Sequence, residues 1–142
     1  MTKALVFAGM LAFAGVANAM TITTEGPFNG EWMQIAEGTV RDGRTMSIYY
    51  KPYSPFKDND DHTMTAWIYA YVPPKGTLKE YGSFDYTIID CKTYKAATLT
   101  SMAWSGTKLA PVDVLAGGWP KWLEQNPGPY RDALIVLCKL PH

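Results

Sequence analysis

Apolar and polar residues alternate with period two along most of the chain between Trp32 and Ala110, the spacing that sends successive side chains to opposite faces of a sheet. In "TMTAWIYAYV" it sets Trp67, Tyr69 and Tyr71 on one face and Ile68, Ala70 and Val72 on the other. Both faces are apolar, which predicts a central strand. "RTMSIYY" places Met46, Ile48 and Tyr50 together and follows Asp42-Gly43, a strong hairpin turn, so Trp32 to Arg41 and Thr45 to Lys51 are expected to pair. "SFDYTIIDC" alternates Phe84, Tyr86 and Ile88 with Asp85, Thr87 and Ile89, and "KAATLTSMAW" follows after a short polar connection. These read as two further strands. Beyond a turn at Ser105 to Thr107, the meander continues over Lys108 to Ala110.

The pattern changes after Pro111. "GGWPKWLEQNPGPY" is broken by Gly117, Gly118, Pro120, Pro127 and Pro129, and reads as a loop with one helical turn around Lys121 to Gln125. Pro129 then opens "PYRDALIVLCK", with proline in the first turn, Asp132 near the start and Lys139 at the end, which predicts a helix from Pro129 to Lys139. Tyr130, Leu134 and Cys138 share one face of it, turned to the sheet. Because "ALIVLC" is continuously apolar, a buried strand from Ala133 to Cys138 fits the same residues. The expected fold class is α+β: a mostly antiparallel meander of about five to six strands with a short C-terminal helix packed on it.

Residues 1–19 stand apart from this pattern. Lys3 precedes an uncharged apolar run from Ala4 to Val16 that finishes at Ala17-Asn18-Ala19, the form of a signal peptide with its cleavage site. The run is too short to span a membrane, so no membrane span is expected. Removing nineteen residues from 142 leaves 123, a length that fits one domain over residues 20–142. Since the leader carries one of 13 basic residues and none of 13 acidic ones, the mature chain has net charge −1. That charge gives nucleic acid and anionic membranes no electrostatic hold. An aromatic share of 13% supplies material for a core, unlike a disordered chain.

Export decides the role of the two cysteines. Oxidising compartments favour pairing, and Cys91 has no partner in the chain other than Cys138, so a Cys91–Cys138 disulfide is expected. Closing that 47-residue separation is worth at most about 4 kcal/mol in the loop-entropy description. A nucleophilic thiol would need an imidazole partner, and only His62 and His142 exist, one in a loop and one at the terminus. Two separated cysteines do not make a zinc site.

Trp32 near the mature start, the aromatic strand "AWIYAY", Asp90-Cys91 at a strand end, a following hairpin that reaches "WSG", and a last short helix ending in cysteine together resemble the surface-adhesin protein E-like domains of bacterial exported proteins. The resemblance covers most of residues 30–139. It implies a mostly antiparallel sheet with a helix stapled to it by the disulfide. The family's named member binds host proteins of the extracellular matrix and plasma, such as vitronectin and laminin, so the resemblance implies adhesion.

The remaining candidates for chemistry each have a plainer reading. "KDNDDH", Lys57 to His62, could suggest calcium, but an EF-hand loop begun at Asp58 would put Thr63 where glycine is needed and Tyr69 at the closing glutamate, so a solvated loop is expected. Asp85 and Asp90 lie five positions apart on one strand and face opposite sides, which suits no acid pair; Asp85 is expected at the surface and Asp90 bonded to a turn or helix end. No Gly-x-Ser-x-Gly, phosphate loop or dinucleotide fingerprint is present. With one internal histidine, the expectation is a non-enzyme without cofactor or metal. The stripe Trp67, Tyr69 and Tyr71 is expected as core beneath the helix, although such residues also dominate binding hot spots. Trp119 and Trp122, in a loop rich in Gly and Pro, are the preferred protein-contact residues. The expected function is an exported binding protein, at the cell surface as an adhesin contacting host matrix or plasma proteins, or in the periplasm as an inhibitor or envelope-maintenance factor binding an endogenous protein. A homodimer fits either reading.

Overall fold

Every strand pairing in the computed structural model is antiparallel. The structure describes residues 2–6, 19–23, 28–57, 62–105, 108–112 and 121–140. Nine strands form one sheet among them: β1 (Thr2–Val6), β2 (Ala19–Thr23), β3 (Gly30–Thr39), β4 (Thr45–Tyr50), β5 (Phe56–Lys57), β6 (Thr63–Val72), β7 (Tyr81–Asp90), β8 (Ala96–Ser105) and β9 (Lys108–Val112). A single helix, α1 (Pro129–Lys139), follows, so the fold is α+β. The spatial order is β1-β2-β3-β4-β6-β7-β8-β9, with β5 laid beside β6.

The expected meander is therefore present but longer than five to six strands. Three short pieces were missed: β1, β2 and β5. β1 falls within the segment read as a leader and pairs with β2 at the end of the sheet. β5 exists because β4 pairs with only Ile68 to Tyr71 of β6, which leaves Met64 and Thr65 to accept Phe56 and Lys57. The Asp42-Gly43 hairpin joins β3 to β4 as expected, with Gly43 at φ 88°, a conformation glycine adopts without steric cost. A bulge between Gln34 and Ala36 shifts the register of that pair.

The sheet separates two cores. On one side Ile48, Met64, Ala66, Ile68, Ile89 and Ala96 meet Ala133, Leu134 and Leu137 of α1, all buried. The other side is aromatic: Met20, Ile22, Phe28, Trp32, Tyr49, Tyr69 and Phe84 form a second cluster, with Trp67 and Tyr71 half-buried at its border. The stripe Trp67, Tyr69 and Tyr71 thus lies on the face away from the helix, a correction to its expected place. Phe28, just ahead of β3, covers it by stacking on Phe84 (centroids 4.3 Å apart) and meeting Trp67 edge-on at 5.4 Å. The indole of Trp32 donates to the Phe28 carbonyl at 2.9 Å, so the ring that closes the face is itself tied down.

α1 occupies the residues the sequence marks for it, Pro129 at its first turn and Lys139 at its last; the strand alternative is not adopted. Cys138 is bonded to Cys91, just past the end of β7, with the Cα atoms 5.7 Å apart. The disulfide therefore fixes the C-terminal end of the helix to the sheet.

Candidate interaction surface

The segment ahead of α1 is extended, not helical. Leu123 exchanges two backbone hydrogen bonds with Ala96, donating at 2.8 Å and accepting at 3.0 Å, in place of the helical turn expected around Lys121 to Gln125. This single bridge holds Leu123 (49% exposed) and Trp122 (43% exposed) outward. A groove of about 440 Å³ opens beside them between Val40 and Met46 on one wall and Leu123 and Tyr130 on the other. Trp119 lies outside the described residues.

A second apolar projection was not anticipated. Between β4 and β5 the Lys51–Ser54 turn is clasped to β6: Lys51 N–H donates to the Trp67 carbonyl (3.2 Å), Trp67 N–H donates to Ser54 Oγ (3.1 Å), and Ser54 N–H and Oγ–H both donate to the Lys51 carbonyl (3.1 and 2.7 Å). Tyr53 sits at the tip, wholly exposed, with a left-handed backbone (φ 69°) that a non-glycine residue adopts only when its surroundings impose it. Phe56, 71% exposed, follows three residues later. Beneath Tyr53 a groove of about 440 Å³ runs past Glu31, Met33, Tyr50, Lys51 and Pro52. The signal was available in the sequence, because Tyr53 and Phe56 each directly follow a proline, Pro52 and Pro55, in a proline-rich stretch like the one that holds Trp119 and Trp122.

The acidic candidates separate. Asp90 turns the chain, its carboxylate accepting from the Lys92 N–H (2.8 Å), and that bond holds its pKa below the usual value. Asp85 is not the surface residue expected. Opposite Ile68 in the register it lies on the helix side of the sheet, half-buried, where Ser83 Oγ–H donates to it at 2.8 Å and Ser101 Oγ–H donates to its other oxygen. Burial raises its pKa, and the two hydroxyls offset part of that rise. Nearby, the hydroxyls of the fully buried Thr87 and of Tyr130 face each other at 3.4 Å; burial and then the charge of Asp85 raise the Tyr130 pKa. The pattern is a satisfied polar seam beneath the start of α1.

Arg44 forms another seam. Its buried guanidinium pairs with Asp42 (2.7 Å), donates to the carbonyls of Pro73 and Lys79 (2.8 and 2.9 Å) and lies over the Tyr81 ring. It ties the β3–β4 hairpin to the β6–β7 hairpin.

Among the described residues no three of His, Cys, Asp and Glu gather to hold a metal ion, and no helix is long and apolar enough to cross a membrane. Asp58 to Asp61, the core of the calcium-like stretch, lie outside the described residues; His62 is exposed, with its carbonyl accepting from the Cys91 N–H at 3.0 Å. No protein-family model, curated protein or solved structure matches the chain.

Proposed function

We propose that the chain is an exported, non-enzymatic binding protein that engages a protein partner through two aromatic projections, Tyr53 with Phe56 and Trp122 with Leu123. The observation that carries this reading is the turn at Tyr53. Two hydrogen bonds clasp it to β6 and two more close the turn itself, yet the ring at its tip is spent on no internal packing and its backbone is held left-handed. Large apolar groups held rigidly in water at a strained position favour a contact whose ordering cost is already met. The disulfide is consistent with an oxidising compartment.

The resemblance to surface-adhesin protein E-like domains favours a partner in the host matrix or plasma. Protease shaving of intact cells tests that placement. Loss of the protein from intact cells supports display, whereas loss only after permeabilisation removes adhesion and leaves an endogenous envelope partner. Immobilised exported protein, probed with laminin, vitronectin and a periplasmic extract, then identifies the partner class. Binding unchanged in both Tyr53→Ser/Phe56→Ser and Trp122→Ser would overturn the assignment of the surface.

A further inference from the structure

We propose that the mature protein pairs with a second copy of itself along β2. This inference rests on the reading of residues 1–19 as a leader that is removed. β1 belongs to that leader, and it occupies the outer edge of β2 in an antiparallel ladder from Thr2↔Thr23 to Val6↔Ala19. Cleavage after Ala19 takes the strand away and leaves Met20 to Thr23 as the end of the sheet. The ladder with β1 shows that this edge holds an antiparallel strand.

The edges of the sheet differ in how they are guarded. β9 carries Lys108 and Pro111, a charge and a residue with no N–H, and β5 is only two residues long. Short strands, lysine and proline are the usual means of blunting an edge. Met20-Thr21-Ile22-Thr23 is short, but it carries neither lysine nor proline. Met20 and Ile22 are buried in the aromatic core, which anchors the strand to the sheet.

A second β2 fits this edge better than a strand of other chemistry. Antiparallel pairing of a strand with its own copy about a twofold axis is self-complementary, and a register centred on Thr21 sets Thr21 against Thr21 and Met20 against Ile22 of the second copy. That register keeps Met20 and Ile22 of both copies on one face, so the two aromatic cores become continuous across the axis. The paired side chains are uncharged, the α-ammonium groups that cleavage creates at the two Met20 residues lie at opposite ends of the paired segment, and a mature net charge of −1 offers little repulsion. Since only a few residues pair directly, the dimer should come apart on dilution.

The test uses the full chain expressed with its leader in an exporting host. Intact mass of the purified product, sedimentation across a range of protein concentrations, and hydrogen exchange at residues 20–23 are measured on the same samples. Expected are a product of residues 20–142, a mass that doubles as concentration rises, and exchange at residues 20–23 that slows in parallel. Thr21→Lys places two like charges across the axis while facing Glu31 within its own sheet, so it should stay monomeric with an unchanged melting curve. A cleaved product that stays monomeric, or a dimer with no concentration-dependent protection at residues 20–23, overturns the proposal. Should Thr21→Lys fail to fold, the exchange result decides alone. Uptake of an extended peptide at residues 20–23 by a permanently monomeric product would assign the edge to a foreign strand and likewise overturn it. A product that keeps residues 1–19 overturns the leader reading and the dimer together, because β1 then stays on the edge, and intact mass distinguishes this failure from the others.

Discussion

The ring of Pro129 rests on Gly38: a Cβ placed on the glycine would stand 3.1 Å from both Cγ and Cδ of the proline. The helix is thus seated on β3 at its first residue and bonded to the end of β7 near its last. Gly38→Val should force the two apart and cost about 1–3 kcal/mol, the usual penalty of overpacking. Chemical denaturation measures the loss. A variant as stable as the parent would show that the helix start is free to shift.

Reduction tests the other end. Denatured, unreduced protein should show no free thiol and two after reduction, and Cys91→Ala with Cys138→Ala should cost about 2–5 kcal/mol. Partner binding measured well below the melting temperature should largely survive, since neither sulfur belongs to the proposed contact surface.

Asp85 makes stability depend on pH in an unusual direction. Its folded pKa lies above the ordinary value of 3.8, so its contribution is complete below that value and is lost as pH rises through the folded pKa. Asp85→Asn should therefore melt higher than the parent at pH 7 and lose the advantage near pH 3. Asp42 runs the other way: the hydrogen bond from Arg44 lowers its pKa, so its stabilisation is present above 3.8 and is lost as pH falls through the folded value. Thermal melts of Asp85→Asn and Asp42→Asn against pH should diverge accordingly, and parallel curves would refute both assignments.

Tyr53→Gly separates binding from folding. Glycine adopts a φ of 69° freely, so the variant should keep its stability or gain up to about 1 kcal/mol while losing partner affinity. A loss of stability would mean that the exposed ring supports the fold and was not held out for contact.

Gly82→Ala should be among the most damaging single-methyl changes in the sheet. The added carbon would lie 2.0 Å from the Ala70 carbonyl oxygen, which is backbone and cannot swing aside. A cost of about 1–3 kcal/mol is expected, read as a lower denaturation midpoint.

Long periodic segments were legible in the sequence, and so was the helix, because local pattern and burial agree there. The Asp42-Gly43 turn and the limits of α1 follow from residues next to each other in the chain. What escaped depends on contacts between distant residues. β5 is two residues long and is created by the unequal lengths of β4 and β6. Leu123 is drawn into extended pairing by Ala96, which overrides a weak helical preference. Alternation showed that both faces of β6 are apolar but not which one the helix takes. It also placed Asp85 opposite Phe84 without revealing Ser101, sixteen residues on, as the group that satisfies it. Of the exposed aromatic positions, Trp122 was singled out from its Gly and Pro neighbours; Tyr53 and Phe56 were not, although each directly follows a proline, Pro52 and Pro55.

The staple also divides the chain into a closed ring and two free arms. Any peptide bond between Cys91 and Cys138 can be cut without releasing a fragment, because both pieces stay joined through sulfur. Trypsin acting after the exposed Lys121 would leave one covalent molecule that sheds its last 21 residues only when a reductant is added. A cut after Lys79, equally exposed in the β6–β7 turn, lies outside the ring and leaves two halves held by hydrogen bonds and burial alone. In a protease-rich setting, damage to the loop that carries Trp122 is thus contained, whereas damage in the β6–β7 turn leaves no covalent tether.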